Sequence, residues 1–153
     1  MTHVSRIQWV VVADARRARL LQCTFASAGS ASVRPCATLV DDWPGHEHHR
    51  PSPLAAKDGR AYASLHHDAE EQLRRFGRRI VGWIGAAAAD RGIERLTLFA
   101  PPRLLGVFRG ERLQDRGPEV DLREGELAHM TEADLCRHPA IEGLAAATAS
   151  PRD

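Results

Sequence analysis

The segment Ile7–Ala13 constrains the fold more than any other part of the chain. It is almost continuously apolar and β-branched, with Val10–Val12 in direct succession. This composition is typical of a strand buried on both faces, because a strand with one face in water would alternate apolar and polar residues. A tight turn at Asp14 and Ala15 follows, and Arg17–Thr24 then returns antiparallel. The chain is therefore predicted to begin with a β-hairpin in the middle of a sheet.

The remaining elements extend this hairpin into a larger sheet with helices. Apolar patterns and turn signals predict a third strand at Val33–Val40, a fourth at Leu96–Ala100 and an edge strand at Pro118–Leu122. Helical spacing and capping residues predict a long helix at Asp68–Arg91, a short helix at Leu104–Arg109 and a helix capped by Thr131 that ends at about Arg137. The order is β-β-β-α-β-α-β-α. With right-handed crossovers, it predicts an α/β (α+β-like) fold whose mixed five-stranded sheet has the order 3-2-1-4-5. Ribonuclease H-like domains and release-factor central domains share this architecture.

The chain length fits one domain. Of the 153 residues, 1–138 are predicted to form a single α/β domain. Within it, 41–67 form a long loop, since they are rich in proline and glycine and have little hydrophobic periodicity. The alanine-rich segment 139–153 is expected to be a frayed C-terminal tail.

Composition limits the classes of function. The formal net charge is only +1, which excludes a polybasic protein. Three cysteines form no CxxC pair, which argues against a zinc ribbon or a disulfide framework. The first apolar run is too short for a signal peptide or a membrane span. A cytoplasmic location without membrane association is expected.

One candidate site lies where the first and fourth strands end. In the predicted order these strands are neighbours, and such switch points are where open α/β sheets bind ligands. Asp14, Arg17 and Arg103 are the candidate ligand-binding residues, with Arg103 at the start of a helix. The alternative is a structural turn in which Asp14 binds backbone amides and pairs with Arg103.

Histidines in the long loop form a second candidate site. His46, His48 and His49 could bind zinc or another transition metal, with nearby acids completing the site. The alternative is an exposed polar loop, since the spacing is not fixed by a rigid element. No other cofactor is predicted. No nucleophile motif or catalytic triad order is present, so no catalytic residue is assigned.

A third candidate is an arginine row on the long helix. Arg74, Arg75, Arg78 and Arg79 fall away from its apolar stripe and could contact RNA phosphates. Residues 72–116 carry ten arginines against four acids, whereas 117–153 carry eight acids against three arginines. The alternative is therefore internal pairing between oppositely charged segments, since no aromatic residue lies on the same face as the row to stack on bases.

Three segments resemble the bacterial host attachment protein family. They read VADARRARL at 12–20, FAPPRLLG at 99–106 and ELAHMT at 126–131, and the resemblance spans about 7–138. The family is distantly similar to the central domain of archaeal and eukaryotic release factors, which implies the ribosome or tRNA as a partner. The Gly-Gly-Gln motif of those factors is missing from the corresponding residues 57–64. Two hypotheses follow: a non-catalytic binding domain associated with ribosomes or RNA, or an enzyme that binds a small ligand or metal at the Asp14/Arg103 crevice.

Overall fold

The computed structural model describes residues 6–26, 31–43, 59–113 and 117–148. They form a five-stranded sheet with four helices: β1 Arg6–Ala13, β2 Arg17–Phe25, β3 Ala31–Val40, α1 Gly59–Arg91, β4 Arg95–Ala100, α2 Pro102–Gly110, β5 Glu119–Glu124, α3 Glu132–Cys136 and α4 Pro139–Thr148. The strand order β3-β2-β1-β4-β5 confirms the predicted topology. The first three strands pair antiparallel, and β1–β4 and β4–β5 pair parallel.

Strand β1 is central and is covered on both sides. Val11 and Ala13 belong to one hydrophobic cluster and Val10 and Val12 to another, and all four are fully buried. Helices α1 and α2 cover the first face of the sheet, and α3 and α4 cover the second. The unbroken apolar run in the sequence reflects this double coverage.

Helices α1 and α2 pack closely because of one glycine. A Cβ atom at Gly77 would lie 2.5 Å from Cγ1 of Val107, so a larger residue would push the helices apart. Gly92 ends α1 with a φ of +67°, a conformation that glycine adopts without strain. Within the described ranges, no helix is both long and apolar enough to cross a membrane.

Helix α1 begins earlier than the sequence predicted. It starts at Gly59 rather than Asp68, so residues 59–67 of the expected long loop are helical. This part lacks an apolar stripe, but its alanines and Leu65 have high helix propensity and extend a helix that already exists. Residues 44–58 of that loop lie outside the described residues.

The expectation of a frayed tail from residue 139 is wrong for residues 139–148. They form α4, in which Ile141 and Leu144 are buried against the second face of the sheet. Pro139 is in its first turn, and Nδ1 of His138 accepts a 3.1 Å hydrogen bond from the Ala140 amide. Apolar burial, which local composition does not show, decides that this alanine-rich segment is ordered.

The three cysteines are free thiols. Cys23 is buried on β2, and Cys36 lies on the neighbouring strand but is not its register partner, which is Val33. Burial, and to a lesser extent the neighbouring Cys136 and Cys36, raises the pKa of the Cys23 thiol to about 12.

Candidate functional site

The turn between β1 and β2 is held by Asp14. Its Oδ1 accepts hydrogen bonds of 2.8 Å from the amides of both Arg16 and Arg17. Its own amide donates to the Arg17 carbonyl over 2.9 Å. The carboxylate is therefore engaged by the backbone, which is the structural alternative considered for this residue. Arg103 forms no ion pair with Asp14.

A crevice of ≈ 420 Å³ opens beside this turn, at the carboxyl ends of β1 and β4. This is the edge where the sequence predicted a site. Its walls come from the β1–β2 turn, the end of β3, α1, the start of α2 and the segment after β5: Ala15, Arg16, Trp43, Ala69, Glu70, Gln72, Leu73, Pro101, Pro102, Arg103, Leu104 and Glu126. Of the three predicted ligand-binding residues, only Arg103 lines this crevice.

The crevice combines cationic, aromatic and anionic groups. Arg16 and Arg103 are exposed, and Trp43 is half-buried. Glu70 and Glu126 contribute carboxylates. Planar guanidinium groups bind phosphates, an indole stacks on flat rings, and carboxylates accept hydrogen bonds from hydroxyl and amino groups. The arrangement therefore suits a ligand that carries all three kinds of group.

Arg16 and Trp43 were not singled out as ligand-binding residues by sequence reasoning. Arg16 differs from Arg17 in the sequence by one position only. The signal that could have found Arg16 is its place directly after a buried strand at a switch point. No local pattern indicates that the end of β3 carries Trp43 to the same edge.

Arg17 lines a second cavity, of ≈ 540 Å³, on the other side of the turn. This cavity also contains Arg19 and Thr38, and it shares Arg16 and Trp43 with the crevice. The side chain of Arg17 is 45% exposed, and its Nε lies 4.0 Å from Oδ2 of Asp14. The structure thus separates Arg17 from Arg103, which the sequence had placed in one site.

Arg19 is a structural residue. Its Nη1 donates to the carbonyls of Met130 and Ala128 at 2.6 and 3.2 Å, and its Nη2 donates to Oε1 of Glu132 at 2.6 Å. The side chain is only 13% exposed. Arg19 thereby ties β2 to the loop before α3. The same loop contains the crevice residue Glu126.

The arginine row on α1 is mostly engaged in ion pairs. Arg75 lies 3.0 Å from Glu71, Arg78 lies 3.0 Å from Glu111, and Arg79 lies 3.5 Å from Asp41. Arg79 also reaches Asp42 at 3.6 Å and covers the ring of Phe76, 5.8 Å from its centroid. Three of these four arginines are therefore in ion pairs, but none of their partners lies in the acidic segment 117–153 that the alternative named.

Arg74 differs from the other arginines of the row. It is exposed and forms no ion pair with the described residues. Together with Arg103 it lines a third cavity, of ≈ 410 Å³, between α1 and α2. Arg74 therefore shares a cavity with Arg103, and Glu70 and Glu111 line the same cavity.

A buried carboxylate, Asp41, connects the end of β3 to α1. Its side chain is 1% exposed and accepts hydrogen bonds from Nε2 of Gln72 at 3.1 and 3.2 Å. Its amide donates to the Arg16 carbonyl over 2.8 Å. Asp41 thus fixes Arg16 and α1, two walls of the crevice, relative to each other.

The predicted metal site is not described by the structure. His46, His48 and His49 lie outside the described residues. Among the residues described, no group of three or more potential metal ligands occurs. Zinc or another transition metal at these histidines stays a prediction.

The three sequence segments that carry the family resemblance meet at the crevice edge of the sheet. Arg19, in the first segment, binds carbonyls of the third. The amide of Gly125, next to the third segment, donates to the Ala100 carbonyl of the second over 3.1 Å. Segments that are far apart in the chain therefore form one continuous region.

Comparison with known proteins agrees with this resemblance. The model of the family described as "protein required for attachment to host cells" matches residues 9–142. The match extends from the central strand β1 into α4, and it includes all the crevice residues. No curated protein shows a significant match to the chain. The chain belongs to the family of proteins required for attachment to host cells.

Proposed function

We propose that this protein is a non-catalytic binding domain that associates with RNA, on the ribosome or in tRNA, through the crevice at the β1–β2 turn. The observation that carries the proposal is that Arg16, Arg103 and Trp43 line one crevice of ≈ 420 Å³. A cavity of this size is within the range of about 300–1,000 Å³ that ligand pockets occupy. Two guanidinium groups and an indole are the groups that contact phosphates and stacked bases.

The acidic residues of the crevice fit an RNA ligand. Glu126 is exposed in its wall, where a carboxylate oxygen can accept a hydrogen bond from a ribose 2′-hydroxyl or a base amino group. A carboxylate repels phosphate, so the phosphates are expected on the Arg103 side and the sugar or base edges on the Glu126 side. DNA lacks the 2′-hydroxyl and is expected to bind less tightly.

The family likeness supports the same class of partner. The family is distantly similar to the release-factor central domain, which implies the ribosome or tRNA as a partner, and the chain lacks the Gly-Gly-Gln motif at 57–64. A domain of this kind would bind without hydrolysing peptidyl-tRNA. The family description names a phenotype, and an RNA-binding domain would affect attachment through the synthesis of other proteins.

The direct test is the fluorescence anisotropy of labelled single-stranded RNA titrated with the protein, together with co-sedimentation with ribosomes. We expect Arg103→Ala to weaken binding about tenfold, because it removes a charge-assisted contact. The matched control is Arg109→Ala, an exposed arginine on the same helix that lines none of the three cavities. Absence of RNA binding, or equal affinity of both variants, would refute the proposal.

A small phosphorylated ligand is the second candidate, because the crevice volume alone fits one. This candidate corresponds to the second hypothesis from the sequence, an enzyme or ligand-binding protein that uses the Asp14/Arg103 crevice. Arg103 is its anion contact. Calorimetry with adenosine monophosphate distinguishes the two. Tight binding of the mononucleotide together with no binding of RNA favours the second candidate.

A further inference from the structure

The second cavity, of ≈ 540 Å³, adjoins the crevice. Arg16 and Trp43 line both, so these two side chains form the boundary between them. Each cavity alone is large enough for a small ligand. A ligand that occupies both must pass over Arg16 and Trp43.

The two cavities open on opposite sides of the sheet edge. Ala18 and Leu20 on β2 point to the face covered by α1 and α2. Because side chains alternate along a strand, Arg17 and Arg19 point to the other face. The crevice, by contrast, is walled by α1 and α2. A ligand in both cavities is therefore extended and curves around the β1–β2 turn.

Among the charged residues of the second cavity, Arg17 is the one that we assign to a ligand. Arg19 is engaged with two carbonyls and Glu132. Arg17 is exposed, and its nearest carboxylate oxygen is 4.0 Å away. The hydroxyl of Thr38 adds a hydrogen-bond donor in the wall. Asp41 is buried and Asp42 is 95% exposed to solvent.

We infer that the ligand is a single-stranded RNA segment of at least two consecutive nucleotides, with one nucleotide in each cavity. This inference rests on the proposed function and specifies its ligand. Arg103 contacts the phosphate in the crevice, Arg17 contacts the phosphate in the second cavity, and Trp43 stacks at the step between them. A single nucleotide fills only half of this site.

The test compares 5′-phosphorylated adenosine oligonucleotides of one, two and six nucleotides, each fluorescently labelled. For the wild-type protein, affinity is expected to rise at least tenfold from one to two nucleotides and less from two to six. Arg17→Ala should weaken the dinucleotide about tenfold and leave the mononucleotide unchanged. Arg103→Ala should weaken both.

Two further variants protect this test from a folding artefact. Arg17→Gln keeps a polar side chain at the turn and should show the same loss as Arg17→Ala. Arg34→Ala, an exposed arginine on β3 outside both cavities, should bind all lengths as the wild type does. Equal affinity for one and two nucleotides, or unchanged dinucleotide binding in both Arg17 variants, would overturn the inference. If the wild-type protein binds oligonucleotides of none of these lengths, the proposed function itself is refuted.

Discussion

Arginines occupy two regions of this molecule in different ways. Along α1, Arg75, Arg78 and Arg79 are paired with carboxylates at 3.0–3.5 Å. At the crevice, Arg103 is exposed and pairs with no carboxylate of the described residues, and Arg16 shares two cavities with Trp43. Both regions are rich in the same residue, yet of the three cavities only those at the β1–β2 turn contain both arginine and an aromatic side chain.

The difference shows that a row of positive charges is weak evidence for a nucleic-acid surface. An arginine already paired must exchange one anion for another, so the net gain from a phosphate is small. An exposed arginine that forms no ion pair with the described residues, such as Arg103, gains the full contact. The predictions below separate these two situations.

The largest effect is expected from reversing charge at the crevice. The double substitution Arg16→Glu/Arg103→Glu should weaken RNA binding about 100-fold or more, because two charge-assisted contacts become repulsive. Arg75→Glu/Arg78→Glu, with the same change in net charge, should weaken it less than about fivefold. Anisotropy titrations at one fixed salt concentration provide the measurement. Equal losses in the two double variants would contradict the distinction between the regions.

The next effect concerns an arginine that holds the structure. Arg19→Ala should lower the free energy of unfolding by about 2–3 kcal/mol, since two carbonyls and Glu132 lose a nearly buried partner. Arg17→Ala, its exposed neighbour on the same strand face, should change it by less than about 0.5 kcal/mol. Urea unfolding of the three proteins tests this. A stability of Arg19→Ala equal to that of the wild type would show that the hydrogen bonds of Arg19 do not stabilise the fold.

Alkaline pH should lower the stability of the fold without changing the charge of the arginines that are proposed to bind RNA. The pKa of Cys23 is about 12 in the folded state, above the usual value of a thiol, so this group stabilises the fold below about pH 9 and that contribution declines as pH rises. Above about pH 9, the free energy of unfolding falls by up to about 1.4 kcal/mol per pH unit. The guanidinium groups proposed to bind RNA stay charged over this range. Unfolding curves of the wild type and Cys23→Ala from pH 8 to 11 measure the difference. An identical pH dependence in both would exclude Cys23 as its source.

The smallest effect is a change in salt dependence. Each phosphate neutralised on a single strand contributes about −0.7 to the slope of log affinity against log salt concentration. Arg103→Ala should make that slope shallower by about 0.7, and Arg78→Ala should leave it unchanged. Titrations at four salt concentrations between about 50 and 300 mM provide the measurement. A slope that responds only to Arg78 would place the RNA on α1.

Much of the fold follows from local sequence patterns. The apolar run of β1, the turn at Asp14, the stripe on α1 and the Thr131 cap each use interactions between residues close in the chain. The cap is confirmed by the 3.1 Å bond from the Asp134 amide to the Thr131 hydroxyl. The start of α1 and helix α4 were missed because they depend on helix extension and on burial against a distant sheet.

The sequence placed Arg103 at the edge of the sheet where the crevice lies, but it did not identify the residues that surround it there. Topology alone places an edge at the ends of β1 and β4, and Arg103 lies there as expected. The bond from Gln72 to Asp41 and the pair of Arg78 with Glu111 join residues 31 and 33 positions apart. No local periodicity indicates which of several arginines meets an acid across such distances.

The sequence by itself determined the strand order, the double coverage of β1 and the family. The tertiary structure alone decided that Asp14 binds its own turn, that Arg19 clamps a loop, and that Arg16, Arg103 and Trp43 share one crevice. The physical reason is the separation along the chain of the residues that interact. Strand and helix patterns arise from burial repeated every two or every three to four residues, whereas a side chain's partner depends on how whole elements pack together.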